Sequence, residues 1–260
     1  MKIGLSSAAF YGRLETDEAA AHLPTLPLDF CEIFLESFQE YSAAFGRQVQ
    51  AGLKGLPCVS IHCKGTQFEP DLFGASRHQS EDAFRFLEGA LDAAQILGAA
   101  YYVFHGPGTM HHDMHPLKIL RLAERLPRIL DLCRQHGITF LWENVSWCTL
   151  KTPEHVQALR EAFPQLCFVL DLKQAMRCGQ DPFAVLRAMG DRLRHLHVMD
   201  WTADGKLCLP GEGCFDFPRL KKELEALGYT GGVLLEPYAD NARDEAALKR
   251  SLHYLHHIFA

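Results

Sequence analysis

At 260 residues, with 48% hydrophobic and 22% charged positions, the chain has the size and composition of a soluble globular domain with a sizeable core. It carries 26 Lys and Arg against 32 Asp and Glu, a formal net charge of −6, and no basic run stands out, which argues against a nucleic-acid-binding surface. No uninterrupted apolar stretch nears the roughly 18 residues that cross a membrane.

One pattern recurs along the chain: a short apolar, β-rich run, a longer segment of helical period, then Gly or Pro. The strand runs lie at 2–7, 29–36, 58–64, 100–105, 138–144, 166–171, 193–199 and 232–237. Segment 80–97 places Phe84, Leu87, Leu91 and Ala94 at helical spacing, stops at Gly98 and leads into Tyr101-Tyr102-Val103-Phe104-His105. Segment 117–136 stops at Gly137, and segment 217–227 at Gly228, each shortly before a strand. Thr152-Pro153 and Asp181-Pro182 each put a capping side chain before a Pro at the first helical position.

Strands alternating with helices imply a parallel sheet. Eight such units without a linker favour one domain over 1–260, closed as a (β/α)8 barrel of the TIM type. The alternative, an open doubly wound sheet, should carry a Gly-rich phosphate loop after its first strand, and Ser6-Ser7-Ala8-Ala9-Phe10 has no GxGxxG. Nine cysteines with no CxxC pair read as free thiols, mostly small core residues, in a reducing compartment. Met1-Lys2-Ile3 opens straight into an apolar segment with no leader pattern, so a cytoplasmic location is expected.

The chemistry sits at the strand ends. The third strand finishes on His62, the fourth on His105, the fifth on Glu143, the sixth on Asp171, the seventh on His197 and the eighth on Glu236. In a barrel these ends meet around one mouth, where enzymes of this fold hold their active sites. Period two puts Glu143 on the face of Leu141, His197 on that of His195 and Glu236 on that of Leu234, and turns Phe104 and Trp142 outward. Glu, Asp and His are ligands for a hard-to-borderline divalent ion, and grouped buried carboxylates are costly unless a cation neutralises them. Taken singly, each has a plainer explanation: a strand-ending Asp caps the next helix, and a buried His is a hydrogen-bonded core residue. Six in register make a divalent metal site the better account.

Trp142-Glu143-Asn144, Leu170-Asp171-Leu172-Lys173-Gln174-Ala175, His195-Leu196-His197-Val198-Met199-Asp200, Leu209-Pro210-Gly211-Glu212-Gly213 and Leu235-Glu236-Pro237-Tyr238 together resemble the xylose isomerase-like barrel superfamily. That group joins sugar and sugar-phosphate isomerases and epimerases to endonuclease IV. The resemblance implies that Glu143, Asp171, His197 and Glu236 hold one ion (Mn, Zn, Mg or Co), and that His62 and His105, with the shared Glu143, match a second, endonuclease IV-like site. Two departures stand out. The family's Asp-Thr-x-His-Ala becomes Asp171-Leu172-Lys173-Gln174-Ala175, and the endonuclease's further Asp-x-His falls on Gly205-Lys206-Leu207, which offers no ligands.

The implied reaction is isomerisation or epimerisation of a sugar, inosose or sugar phosphate. The metal acts as a Lewis acid while Glu143 and Glu236 remove and return the proton beside the carbonyl through an enediolate. Gln174, standing where the family has His, is a candidate for a substrate oxygen. Lys64 and Lys173 are candidates for a phosphate or carboxylate, with solvent or a neighbouring carboxylate as their plainer partners. Phe10, Trp147 and Trp201 follow strand ends and are candidates for an apolar wall against a sugar face. The runner-up is a metallo-phosphodiesterase acting on abasic DNA, favoured by His62 and His105 but not by the acidic charge. A non-catalytic sugar-binding barrel is the third reading, and a dehydratase or lyase is a further form of the metal chemistry. The His-rich run Gly106 to His115 reads as a solvated loop or lid, outside the metal site. The expected partner is a small carbohydrate, with neither nucleic acid nor membrane, and self-association into a homo-oligomer is left open.

Overall fold

The computed structural model describes residues 1–108, 120 and 122–260. Eight parallel strands close into a barrel: β1 (Ile3–Ser6), β2 (Phe30–Leu35), β3 (Cys58–Cys63), β4 (Tyr101–Phe104), β5 (Thr139–Glu143), β6 (Cys167–Asp171), β7 (Leu193–Val198) and β10 (Val233–Leu235). β1 pairs with both β2 and β10, which completes the ring. Between β7 and β10 lies a small antiparallel ladder, β8 (Asp200–Trp201) on β9 (Leu207–Cys208). Every barrel strand falls within two residues of its expected bounds.

The helices begin and end for local reasons. Arg77–Leu97 starts where Ser76 Oγ accepts from Gln79 N, and stops at Gly98, whose φ of 69° is the left-handed closure a side chain disfavours. Thr152 caps Pro153–Ala162 through His155 N, and Asp181 caps Pro182–Met189 through Phe183 N, as the Thr-Pro and Asp-Pro pairs lead one to expect. Of the helix expected over 117–136, Leu126–Gln135 is helical; residues 109–119 and 121 lie outside the described residues, as does the run Thr109 to His115. The short helix Leu172–Arg177, directly after β6, is not evident from periodicity.

Side-chain alternation sorts the barrel into inside and outside. Val103, Leu141, Cys167 and Val169 form an inner cluster with Tyr101 against it. Phe104, Trp142, Phe168 and Leu170 belong to the larger core between sheet and helices, with the Phe104 and Trp142 rings 5.6 Å apart. At the end of the barrel away from the site, the Phe30 ring fills the interior. A Cβ at Gly4 would lie 2.4 Å from that ring, and one at Gly232 also 2.4 Å, so both neighbours of Phe30 must lack a side chain. All nine cysteines are free, and six of them are buried. Among the described residues no helix is long and apolar enough to cross a membrane.

Gly4→Ala should therefore destabilise the fold by about 1–3 kcal/mol through overpacking. Thermal or urea unfolding should show Gly4→Ala combined with Phe30→Leu costing less than the two single changes summed; simple additivity would mean the ring is not what forbids the methyl.

Just past β2, Glu36 is half-buried, and burial, followed by the charges of Glu40 and Glu15, pushes its carboxyl from an ordinary 4.5 up to about 7. The fold thus holds a proton that the unfolded chain releases, so this group costs stability as pH rises from 4.5 through 7, and the cost is fully present above that window. Glu36→Gln should raise Tm relative to the native chain at pH 8, with the gain shrinking towards pH 5; a gain independent of pH would rule out this account.

Candidate metal and substrate site

The C-terminal ends of the strands bring Glu143, Asp171, His197 and Glu236 together. One ligand atom from each lies within 4.8 Å of the others, and all four side chains are buried. Strand register does part of this: Asp171 sits opposite His197 across the β6–β7 pair. Asn144 does another part. Its Nδ2 donates to Asp171 O at 2.9 Å and its Oδ1 accepts from Asp171 N at 2.8 Å, which locks the ends of β5 and β6 together and fixes Glu143 relative to Asp171.

His197 Nδ1 lies 3.1 Å from Glu143 Oε1 and 3.3 Å from Glu236 Oε2. Asp171 also keeps its plainer role: Oδ1 accepts from Gln174 N at 2.9 Å and starts the helix Leu172–Arg177, which leaves Oδ2 for the site. His62 and His105 join the same mouth. Their Nε2 atoms are 2.8 Å apart, and His62 Nε2 lies 3.7 Å from Glu143 Oε2, so the three form a second cluster of potential ligands.

Lys173 is not a free cation for a phosphate or carboxylate. It is buried, with Nζ 2.5 Å from Asp171 Oδ2 and in still closer contact with Glu236 Oε2. Burial raises Glu236, but Lys173 and His197, helped by His62, outweigh it and hold the carboxyl well below the usual range. Asp171 goes the other way: burial pushes it up to about 7, with Glu143 and Glu236 adding to the rise and Lys173 opposing it. For His197, burial disfavours the charge, yet Glu236, Glu32 and Glu143 hold the imidazole well above its ordinary value.

A cavity of about 320 Å³ opens over the cluster. Glu143, Glu236, His62 and His105 reach it from below, and Lys64, Lys173, Gln174 and Trp147 line it as the sequence suggests. Gln174 Oε1 is occupied by Ser146 N and Oγ, at 3.1 and 2.7 Å, so its amide nitrogen is what it offers. Lys64 stands at the rim, its Nζ donating to Tyr11 OH at 2.8 Å.

Phe10 and Trp201 do not line this cavity. Phe10 is buried edge-on against His22, and Trp201 is drawn into β8, where its ring packs 5.0 Å from Phe215. Tyr11, Phe34 and Tyr238 supply the aromatic wall in their place. Asp200, from the resembling motif, serves the loop: its carboxylate accepts from the backbone N–H groups of Trp201, Gly211, Gly213 and Phe215 at 2.8–3.2 Å. A Cβ at Gly213 would lie 2.2 Å from that carboxylate, which accounts for a glycine there. Gly205 and Lys206 are exposed in the β8–β9 turn.

Two buried carboxylates beside the site escape the sequence reading. Glu32, in the middle of β2, is completely buried; its Oε2 accepts from Ser60 Oγ at 2.7 Å and lies 3.3 Å from His197 Nε2. Glu69, in the 3-10 turn Glu69–Phe73, accepts from Tyr102 OH at 2.8 Å and from His105 N at 3.1 Å, and faces His105 Nδ1 at 3.2 Å. The signal for Glu32 was present: a lone carboxylate inside Phe30-Cys31-Glu32-Ile33-Phe34-Leu35, on the inward parity of that strand.

A family model described as the xylose isomerase-like TIM barrel matches residues 21–257. Among curated proteins, the inosose dehydratase of Geobacillus kaustophilus (strain HTA426) is 26% identical over 141 residues, a stretch covering 46% of this chain and 46% of that protein. The match thus spans about half the length of such relatives. Among solved structures, the D-psicose 3-epimerase of Clostridium cellulolyticum H10 with D-tagatose superposes with a TM-score of 0.79 at 17% identity, covering 100% of this chain and 99% of that one. The IOLI protein with a binding zinc atom superposes at 0.74 and 14% identity, covering 99% and 96%. At such identities the superpositions speak for the fold, and the family rests on the match over 21–257: the chain belongs to the xylose isomerase-like TIM barrel family.

Proposed function

We propose that this chain is a divalent-metal-dependent enzyme that removes a proton beside the carbonyl of a sugar, inosose or sugar phosphate, as an isomerase or epimerase. The observation that carries this reading is the convergence of Glu143, Asp171, His197 and Glu236 below a cavity into which two of the carboxylates, Glu143 and Glu236, project. The names of an inosose dehydratase among the relatives and of a D-psicose 3-epimerase among the structural neighbours agree with a carbohydrate substrate that carries a carbonyl.

The donor set fits a divalent ion. Glu32, Glu143, Asp171 and Glu236 are buried carboxylates, and one buried lysine sits among them. Mixed carboxylate and imidazole donors suit Zn, Mn or Mg, and uncompensated buried charge is costly. Glu32 Oε1 and His62 Nδ1, both buried and outside any hydrogen bond among the described residues, face each other at 3.5 Å. Glu143, Asp171, His197 and Glu236 would hold the ion, and when bound it supplies Lewis-acid polarisation of the substrate carbonyl.

The remaining roles fall to the chain itself. Lys173 and His197 hold Glu236 deprotonated despite burial, so it is free to accept a proton, though with reduced basicity. Glu143, across His197 from it, is the partner that returns the proton. Gln174 offers its amide nitrogen to a substrate hydroxyl, and Tyr11, Trp147 and Tyr238 give the cavity apolar walls for the carbon face of a sugar ring. Lys64 is the rim residue suited to a substrate phosphate or carboxylate.

In D2O, metal-loaded protein should wash deuterium into the carbon next to the carbonyl of one of a panel of inososes, ketoses and their phosphates, read by NMR. Release of a new epimer marks an epimerase, and loss of water marks a dehydratase. Glu236→Gln should abolish the exchange while the protein stays folded, as read by circular dichroism. An abasic duplex should not be incised; robust incision lost in the same variant would replace this reading with the phosphodiesterase.

Lys173 and a divalent ion compete for Asp171 and Glu236. Lys173→Met should destabilise the metal-free protein by about 3–5 kcal/mol, because buried carboxylates lose their partner. Calorimetric titration should find Mn2+ bound more tightly than by the native chain; weaker binding would mean the lysine assists the ion.

A further inference from the structure

Glu32 is not one of the four residues expected to hold the main ion, yet one of its oxygens lies within 4.8 Å of ligand atoms of His62, His197 and Glu236. It lies a layer deeper in the barrel and has no solvent exposure. Its two oxygens face different histidines. Oε2 lies 3.3 Å from His197 Nε2, and Oε1 lies 3.5 Å from His62 Nδ1. Oε2 is further held by Ser60 Oγ at 2.7 Å, and His195 Nε2 lies 3.5 Å from it. The hydroxyl and the three imidazoles around Glu32 are all able to donate to a carboxylate. An ionised carboxylate accepts hydrogen bonds and donates none.

The opposite nitrogens of the same two rings face the metal donors. His197 Nδ1 looks at Glu143 and Glu236, and His62 Nε2 looks at His105 and Glu143. A neutral imidazole has one N–H and one lone pair, so fixing the proton on one nitrogen presents the lone pair from the other. His62 Nδ1 also sees Glu236 Oε1 at 3.4 Å, which favours a proton at the same nitrogen. Glu32 Oε1 has no partner of its own among the described residues, and His62 Nδ1 is the donor aimed at it.

We infer that Glu32 is a positioning residue shared by both groups of metal donors: it holds the proton on His197 Nε2 and on His62 Nδ1, so that His197 Nδ1 and His62 Nε2 turn their lone pairs to the ions. This rests on the metal part of the function proposed above and not on the reaction. It makes the main group of donors and the His62–His105–Glu143 group two sides of one carboxylate. Glutamine at this position has the same shape but one acceptor and one donor. One of the two histidines would then meet an N–H, and its own proton would move to the nitrogen that faces the metal.

Two measurements decide it. In Zn2+-loaded native protein, imidazole nitrogen–proton correlation NMR, assigned by single histidine substitutions, should show His197 protonated on Nε2 and His62 on Nδ1. Glu32→Gln should bind Zn2+ about 10–100-fold more weakly by calorimetric titration, the usual loss when a carboxylate behind a ligating histidine is removed. Should Glu32→Gln fail to fold, the native tautomers stand alone as the test. His62 protonated on Nε2, as direct ligation through Nδ1 beside Glu32 would require, overturns the inference, as does an affinity within twofold of the native chain. A native chain that takes up no Zn2+ overturns the metal reading and this inference together. Failure to find a sugar substrate touches only the reaction.

Discussion

Four carboxylates with almost no access to water, gathered at the end of one barrel, would repel one another and lack hydration unless each were answered. The rest of the site is arranged as that answer. Lys173 bridges Asp171 and Glu236, His197 stands between Glu143 and Glu236 and touches Glu32 with its other nitrogen, and Ser60 tops up Glu32. A single lysine and a set of imidazoles leave the balance negative, and a divalent cation is the natural complement. The acidity of the site and its fitness for metal are thus one property.

The scaffold keeps these groups in place through backbone as much as side chain. Asn144 ties β5 to β6 through both of its amide atoms, so a residue that touches no ligand atom sets the spacing of two. Asp200 gathers four backbone N–H groups and folds the loop after β7 back on itself, which takes Trp201 away from the cavity and leaves the aromatic wall to Tyr11, Phe34 and Tyr238.

How far the sequence is legible follows from what each residue answers to. The strands show because apolar runs alternate with amphipathic segments that end in Gly, and the six chemistry-bearing strand ends show because a charged residue closing an apolar run is conspicuous. Glu32 is less conspicuous: a lone carboxylate inside an apolar run marks it, but it sits in mid-strand and its partners come from β3 and β7, which no local pattern announces. Glu69 lies in a 3-10 turn and meets Tyr102 and His105 only through tertiary packing. Lys173 reads as an isolated lysine whose partner is a substrate anion, solvent or a neighbouring carboxylate, because helix period alone cannot tell that its ammonium turns inward onto Asp171. Phe10 and Trp201 follow strand ends just as Trp147 does, yet their directions depend on a 3-10 turn and a two-residue ladder that the sequence does not signal.

The Phe30 ring, admitted by Gly4 and Gly232, packs inside the barrel at the end away from the site. Among the described residues, the cavity over the carboxylates is lined from the other end of the strands. A molecule long enough to reach Glu143 and Glu236 with one end must leave its other end among Tyr11, Trp147 and Tyr238, which are 38–40% exposed at the lip. Chemistry and choice are thereby separated along the depth of one shaft. The bottom can be the same for many polyhydroxylated compounds, while the lip reads whatever lies beyond the reacting carbons. Under the proposed function, changes at Tyr11, Trp147 and Tyr238 would alter which guest is held while the buried carboxylates stay as they are, since these three rings carry none of the charge that the fold has to balance.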